Sequence, residues 1–452
     1  MMLRRFKNFY HKFQALLANI YYLFPSRKLK IIGVTGTDGK TTTVAMIYHV
    51  LKVAKVKVGM ISTIEVLIGN KSYDSGFHVT TPEPWQLPKY LHLMRKEGVK
   101  FVIIEATSNG LEQNRLFGIK FDSSAITNIK EDHLDYHHTW ENYAEAKFRL
   151  LQQTKDHGLA VMNLDDSKAA KWLQRESRIL PQTLYAKWVT KKSLQNKQLT
   201  REGIKFDYKG VNFRVPILGD YNFENVLQVI GVCERYLDLE NIREALLSFN
   251  SPEGRMQLMQ VEPFVVIVDF AHTPEALRKA LQSVEKLKRA KKNRIITVFG
   301  CAGQRDKGRR RMGEISAQYS DITILTAEDP RDEELGDINN EVFSYAEKKN
   351  GVLVERFTNH DAYGIRDLKD IKAKVALVVK NQDKPFLAFD ENSIRSREDA
   401  IELALRLANS DDIVFITGKG HEKSMAFGKQ LKEYAWSDQK VVNRKLKKVL
   451  KS

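Results

Sequence analysis

Two cysteines in 452 residues, Cys233 and Cys301, are too few and too far apart for a disulfide framework or a thiolate metal site, and they suit a reducing compartment such as the cytoplasm. Long apolar runs are missing as well: nothing approaches the ~18 consecutive apolar residues that a bilayer-spanning helix needs. Zinc-finger spacing, RNP-like motifs and aromatic-interleaved basic stripes are absent. The net charge of +17 is therefore read as scattered surface lysines and the basic tail "NRKLKKVLKS", with no nucleic-acid partner expected. There is no internal repeat and no long low-complexity stretch. What remains is an ordinary globular composition, 42% hydrophobic and 29% charged, long enough for two or three domains.

The first 28 residues, "MMLRRFKNFYHKFQALLANIYYLFPSRK", read as an amphipathic helix ended by Pro25. Packing on the body of the protein is the expected role, with contact to a membrane surface or a protein partner as the alternative. From residue 29 onward, short β-rich runs alternate with helical patterns: "LKIIGVTG", "KFVIIEAT", "SSAITNI" and "GLAVMNLDD". Such alternation predicts a mostly parallel sheet with helices on both faces. Pro252 and Gly254 in "FNSPEGRMQ" mark a junction. A second set follows, "FVVIVDFA", "RIITVFGC", "DITILTAE" and "DIVFITGKG". The expectation is an α/β protein with an N-terminal helical segment (1–28), a central P-loop-type ATPase domain (29–252) and a smaller Rossmann-like C-terminal domain (253–452).

"GVTGTDGKTTT", residues 33–43, carries the clearest chemistry. Glycines 33, 36 and 39 allow backbone N–H groups to approach phosphate oxygens at a helix N-terminus. Lys40 would reach the terminal phosphates and the Thr41 hydroxyl would bind Mg²⁺. The usual first glycine of the loop pattern is replaced by Val34.

This loop resembles that of the Mur ligases, a family that forms amide bonds in peptidoglycan precursors. Further blocks follow in the family's order: "HVTTPEP", "EATSNGLEQNRL", "TNIKEDHLDYH", "YAEAKFRL", "LGDYNFENVL", "EGRM", "VDFAHTPEAL", "VFGCAGQRDKGRRRMGEI" and "GKGHE". The "TTPE", "S-x-GL-x-Q-x-R" and "GKGHE" blocks favour the tripeptide-synthetase branch. The resemblance implies an ATP-dependent, ADP-forming ligase. It would add an amino acid to UDP-N-acetylmuramoyl-L-Ala-D-Glu through an acyl phosphate, with ATP and Mg²⁺ as cofactors, as a cytoplasmic monomer. Because carboxylate is a poor electrophile, such a site needs fixed cations and metal to gather negative charge.

Residue roles carried by the resemblance follow the same blocks. ATP would be held by Gly36, Thr37, Asp38, Gly39, Lys40, Thr41 and Thr42, by Asn222 and Asn225 on the adenine side, and by Arg255, Asp269, His272 and Arg305 of the second domain closing over it. Metal ligands would be Thr41, Glu105, His133 and a carbamylated Lys147. The plainer alternatives are a salt-bridged Glu105, a structural His133, a solvated Lys147, a helix cap at Asn222 and interdomain ion pairs from the second domain. Substrate would be met by Thr80, Thr81, Ser108, Gln113 and Arg115, and the incoming amino acid by Asp329, Arg331, Gly418 and Glu422. "EDPR" at 328–331 stands where the family has D-N-P-R, a motif that binds the distal end of meso-diaminopimelate. Arg331 favours diaminopimelate over lysine. Asp329, by repelling a carboxylate, favours lysine unless it pairs with Arg331 or faces the distal ammonium.

Three departures from the family pattern bear on function. Asp38 replaces the usual Asn, a charge tolerable only if it faces Mg²⁺ or solvent. Asn109 replaces a histidine. Only about 30 residues precede the loop strand, so most of the N-terminal UDP-binding domain is expected to be missing, which leaves a different, lipid-linked or other glutamyl acid open as substrate. A non-catalytic ATP-binding relative and a nucleic-acid-dependent ATPase are the remaining alternatives.

Overall fold

The computed structural model describes all residues except 1, 70, 75–80, 305–306, 359–367 and 452. The chain divides into two compact units. The first comprises Met1–Gln198, Ile204–Pro216 and Tyr221–Asn250, and the second Leu199–Gly203, Ile217–Asp220 and Ser251–Ser452. The expected N-terminal helix spans Met2–Tyr21.

In the first unit, apolar runs bounded by polar turns become strands β1 (Lys30–Thr35), β2 (Val58–Ile61), β3 (Glu65–Ile68), β4 (Lys71–Asp74), β5 (Phe101–Glu105), β6 (Phe121–Ile126), β7 (Thr154–Asn163) and β8 (Tyr185–Val189). They form one sheet in the order β4-β3-β2-β5-β1-β6-β7-β8. Pairing is parallel throughout, except for the antiparallel edge β2-β3-β4. β1 lies between β5 and β6, so the chain enters the sheet in its middle and builds outward in both directions. The carboxyl ends of such central strands open onto a crevice. There the β1 turn leads into the helix Lys40–Val53, and Val34 is in register with Glu105.

Gly33, grouped with the phosphate-loop glycines in the sequence reading, belongs to the core instead. It sits within β1, and a Cβ there would fall 2.7 Å from both Leu150 Cδ1 and Phe121 Cε1. Its missing side chain lets the helix Trp140–Gln152 lie close to the sheet.

Next come β9 (Gln195–Thr200), β10 (Gly203–Tyr208) and β11 (Val211–Val215), the last two antiparallel. The second unit is built on β12 (Gln257–Gln260), β13 (Val265–Val268), β14 (Ile295–Phe299), β15 (Ile322–Leu325), β16 (Gly351–Phe357), β17 (Lys384–Phe389) and β18 (Ile413–Ile416). Their order is β12-β13-β18-β14-β15-β17-β16, and only β12 is antiparallel. Every residue of β13, β14, β15 and β18 is buried, as continuous apolar runs covered on both faces must be. A small hairpin, β19 (Ser424–Phe427) with β20 (Lys432–Ala435), completes the unit. Leu199–Gly203 joins this unit through Arg201, which donates to the Leu287 carbonyl and pairs with Asp411 at 2.9 Å.

Candidate active site

Two close approaches shape the phosphate loop in the first unit. Gly36, at φ +155°, has no room for a Cβ, which would meet Thr127 Oγ1 at 1.8 Å. Gly39, at φ +79°, is the residue before the helix, and its Cβ would strike Asn225 Oδ1 at 2.2 Å. Asn225 in turn donates to Asn222 Oδ1 at 2.7 Å, both from the buried start of the helix Asn222–Cys233. The two asparagines thus sit against the loop as a linked pair. The residue before their helix is Tyr221, so the cap alternative for Asn222 does not hold.

The loop is tied down along its length. Thr37 N–H donates to the Asn128 carbonyl, Asp38 N–H to Asn128 Oδ1, and Thr127 Oγ1 to the Asp38 carbonyl at 2.6 Å. The Asp38 carboxylate is half exposed and lies 3.4 Å from Lys130 Nζ, so the added charge is met by a cation and water. Lys40 folds back, its ammonium donating to the Gly36 and Thr37 carbonyls at 3.0 and 2.9 Å. Thr42 follows Thr41 in the first helical turn, largely buried.

At the end of β5, Glu105 is buried; its Oε1 accepts from Thr41 Oγ1 at 2.9 Å and its Oε2 from Thr63 N–H at 3.0 Å. A hydroxyl and a carboxylate side by side at a phosphate loop form a hard-oxygen donor pair of the kind Mg²⁺ takes alongside water and phosphate. Among the described residues no group of three or more His, Cys, Asp or Glu side chains gathers into a site.

Lys147 is not solvated. It is 1% exposed, donates to the Gly36 carbonyl at 2.6 Å and lies 4.3 Å from the centre of the Tyr143 ring. Burial, reinforced by the nearby Lys40 charge, pushes its pKa well below the usual lysine range. His133 has a left-handed backbone (φ 52°), is exposed beside Asp132, and lies 6.2 Å from the same Tyr143 ring, centroid to centroid. Tyr143 therefore stands between the two.

Four of the expected substrate residues are brought together. Arg115 donates to Gln113 Oε1 through Nε and Nη2, and to the Thr81 carbonyl at 3.0 Å. Thr81 Oγ1 accepts from Thr107 N–H, and Ser108 Oγ lies 3.0 Å from His137 Nε2. Thr80 and Arg305 lie outside the described residues. The sequence reading passed over two participants here: buried His137, and Tyr136, whose hydroxyl accepts from Gln113 at 2.9 Å and donates to Glu112 at 2.7 Å. Both belong to "EDHLDYHH", where only His133 drew attention.

In the second unit, the loop bearing Gly254 and Arg255 presses on the Gly418–Glu422 loop: a Cβ on Gly254 would meet the Gly420 carbonyl carbon at 2.2 Å. The Arg255 guanidinium lies 4.8 Å from the Phe270 ring centre, and its Nε is buried without a hydrogen-bond partner among the described residues. Asp269 accepts from the Met256 and Ala271 N–H groups at 2.7 and 2.9 Å, binding the two loops together, and burial raises its carboxyl above the usual range. His272 Nδ1 lies 2.9 Å from the Phe270 carbonyl, which can only accept, so Nδ1 carries the proton. His421, unremarked within "GKGHE", packs on Phe270; burial and the Arg255 charge hold it neutral, with a pKa down to about 3.

Asp329 pairs with neither Arg331 nor an open pocket. Its Oδ1 accepts from Lys419 Nζ at 3.0 Å and from Ala426 N–H at 2.9 Å, while Lys419 also pairs with Glu422 at 2.6 Å. Arg331 adopts a left-handed backbone (φ 57°), unusual for a side chain of its size, and its N–H donates to the Ala426 carbonyl. Glu328 is buried with Oε2 3.2 Å from where a Gly418 Cβ would stand; burial, only partly offset by Lys419, raises its pKa to about 7. Because the folded state then binds this proton more tightly than the unfolded chain, stability should fall as pH rises from the ordinary Glu value to about 7 and level off above it. Glu328→Gln should flatten that slope, worth at most ~3 kcal/mol, as read by melting temperature across that pH range. An unchanged slope would contradict the assignment.

Known proteins resemble this chain over most of its length. The model of the Mur ligase middle domain matches residues 34–233, and that of the Mur ligase glutamate ligase domain residues 254–383. A UDP-N-acetylmuramoyl-L-alanyl-D-glutamate–2,6-diaminopimelate ligase of Chlamydia felis is 34% identical over 441 residues, 96% of this chain and 81% of that one. A UDP-N-acetylmuramyl-tripeptide synthetase of Borreliella afzelii is 34% identical over 442 residues, 95% and 79% of the two chains. Among solved structures, one of a UDP-N-acetylmuramoyl-L-alanyl-D-glutamate–2,6-diaminopimelate ligase is 25% identical with a TM-score of 0.65, covering 97% of this chain and 83% of that one. MurF ligase of Thermotoga maritima, solved with ADP, shares the fold at a TM-score of 0.59 and 16% identity, over 96% and 84% of the chains. The chain belongs to the Mur ligase family of ATP-dependent amide ligases, with tripeptide synthetases among its relatives.

Proposed function

We propose that this protein joins the D-glutamate carboxylate of UDP-N-acetylmuramoyl-L-Ala-D-Glu to an amino group of meso-diaminopimelate in the cytoplasm. The observation that carries this reading is the engagement of Asp329 by Lys419 beside Arg331. A free Asp329 would repel a substrate carboxylate and select lysine. Held by Lys419 and the Ala426 N–H, it leaves the Arg331 guanidinium to take the distal carboxylate in a bidentate pair.

In the reaction the substrate carboxylate oxygen attacks the γ-phosphorus of ATP and ADP departs, leaving an acyl phosphate. The amine nitrogen then attacks the acyl carbon, phosphate leaves with the bonding pair, and the nitrogen loses a proton to give the amide. Lys40 and the N–H groups of residues 39–42 hold the phosphates, with Gly36, Thr37 and Asp38 shaping the loop around them. Thr41 and Glu105 would hold Mg²⁺, which neutralises phosphate charge when bound, with His133 and carbamylated Lys147 serving a second ion. Thr81, Ser108, Gln113 and Arg115 orient the acceptor. Asn222 and Asn225 support the nucleotide end of the site, while Arg255, Asp269, His272 and Arg305 belong to the second domain's contribution. Gly418 and Glu422 border the amino-acid pocket.

The test is to incubate the protein with ATP, Mg²⁺, the UDP-linked dipeptide and an amino-acid panel, then weigh the products. A diaminopimelate adduct with matching ADP is expected, and no adduct with any amino acid would overturn the reading. Arg331→Ala should lower ligation of diaminopimelate about 10- to 100-fold, the cost of losing a charge-assisted pair. Efficient lysine addition by wild type, unchanged in the variant, would show that Arg331 does not read a carboxylate.

A further inference from the structure

The N-terminal helix docks the wrong way round for an ordinary amphipathic helix. Its small and polar face is turned inward: His11, Ala15, Ala18 and Asn19 are buried. Asn19 donates to the Phe117 carbonyl at 3.1 Å, Asn8 to Glu112 at 2.7 Å, and Asn114 back to the Asn8 carbonyl at 3.3 Å. The large apolar side chains point out instead. Phe9, Phe13, Leu16 and Ile20 fall at intervals of four, three and four residues along one stripe and are between 39% and 69% exposed. At the stripe's end, Tyr21 (70% exposed) and Trp85 (42% exposed) pack ring to ring at 5.7 Å.

Polar hydrogen bonds fix this orientation, so the apolar face is presented rather than waiting to turn inward. Water is a poor neighbour for it, and contiguous exposed apolar stripes mark interaction surfaces. Charge says which partner fits. Residues 1–30 contain seven Lys or Arg and no Asp or Glu. Lys7 and Lys12 are exposed near the start of the stripe and Arg27 and Lys28 beyond its end. A stripe of Phe, Leu and Ile, closed by Tyr and Trp on a segment that carries cations and no acid of its own, is the pattern that settles into the headgroup layer of an anionic membrane.

We propose that the outward face of the N-terminal helix binds an anionic lipid surface, holding the enzyme peripherally on the membrane. The test is co-sedimentation of the full chain with vesicles of phosphatidylcholine alone or mixed with phosphatidylglycerol. Wild type should bind the mixed vesicles at least ~10-fold better than the neutral ones, and lose that preference in high salt. The combined variant Phe9→Ser, Phe13→Ser, Ile20→Ser should stay in the supernatant while ligating soluble substrate at the wild-type rate. Since all three side chains are exposed, its fold is expected to hold. If it does not, the single variant Phe13→Glu should halve binding or more. Failure of wild type to sediment with the mixed vesicles, or equal binding by the variants, would overturn the proposal. So would a wild-type dimer on sizing that the triple variant lacks, which would assign the face to a second copy of the chain.

Discussion

Ligation by Lys147→Met should be undetectable even though the variant folds. Methionine fills much the same space against Tyr143 but offers no nitrogen, so the substitution separates chemistry from packing. Burial lowers the pKa of this amine and so favours the uncharged form, the one that attacks CO₂: the nitrogen lone pair bonds to carbon, a proton leaves, and a carbamate anion remains. That nitrogen keeps one N–H, enough to preserve its bond to the Gly36 carbonyl, while the new carboxylate reaches beyond it. A cation-forming residue would thereby become an anionic oxygen donor beside the phosphate loop. Activity of wild type should fall in CO₂-stripped buffer and recover on adding bicarbonate, and Lys147→Glu should regain a small part of it. Near-normal ligation by Lys147→Met, or indifference to bicarbonate together with a free amine at Lys147 in a crystal structure holding two magnesium ions, would rule the carbamate out.

The second large effect concerns Lys40→Ala, expected to cut the ligation rate at least ~10²-fold, the loss typical of removing one preorganised charge donor from a transition state. The Lys40 ammonium rests on the Gly36 and Thr37 carbonyls. It is thus already poised over the loop when phosphate arrives, and little reorganisation is required. Stability should change little, because the loop keeps its bonds to Thr127 and Asn128 and the Gly36 carbonyl keeps its bond from Lys147. A melting curve close to wild type combined with lost product formation is the expected pair of results. A folded variant that ligates normally would refute the phosphate-loop role of Lys40.

Local features of the fold were readable in advance because they are written locally. Apolar runs such as "FVIIE" and "IITVF" are long enough to name strands, and the turn "TGTDGKT" names its own geometry. Short strands such as β2 and β4, four residues each, carry too little pattern to be seen. Gly33 was misread for the opposite reason: its neighbours Phe121 and Leu150 lie about a hundred residues away, and no local pattern encodes them. The partner of Asp329 was equally hidden, since Lys419 comes from a loop far along the chain. His137 and His421 escaped because a buried histidine leaves the same trace in sequence as an exposed one. The inward polar face of the N-terminal helix also defied its pattern, which points the apolar side at the core; asparagine side chains reaching the Phe117 carbonyl and the Glu112 carboxylate decided the matter.

The pairing of Val34 with Glu105 has an evolutionary corollary. The phosphate loop and the carboxylate are spaced by a backbone ladder between β1 and β5, not by the particular side chains around them. Most of those side chains can change without altering the spacing. Inserting or deleting one residue in either strand is another matter. It would slide Glu105 by about 3.3 Å and turn it to the opposite face of the sheet in one step. Substitution should therefore be common in these strands and length change rare, so that a library tolerant of the first will be purged by the second.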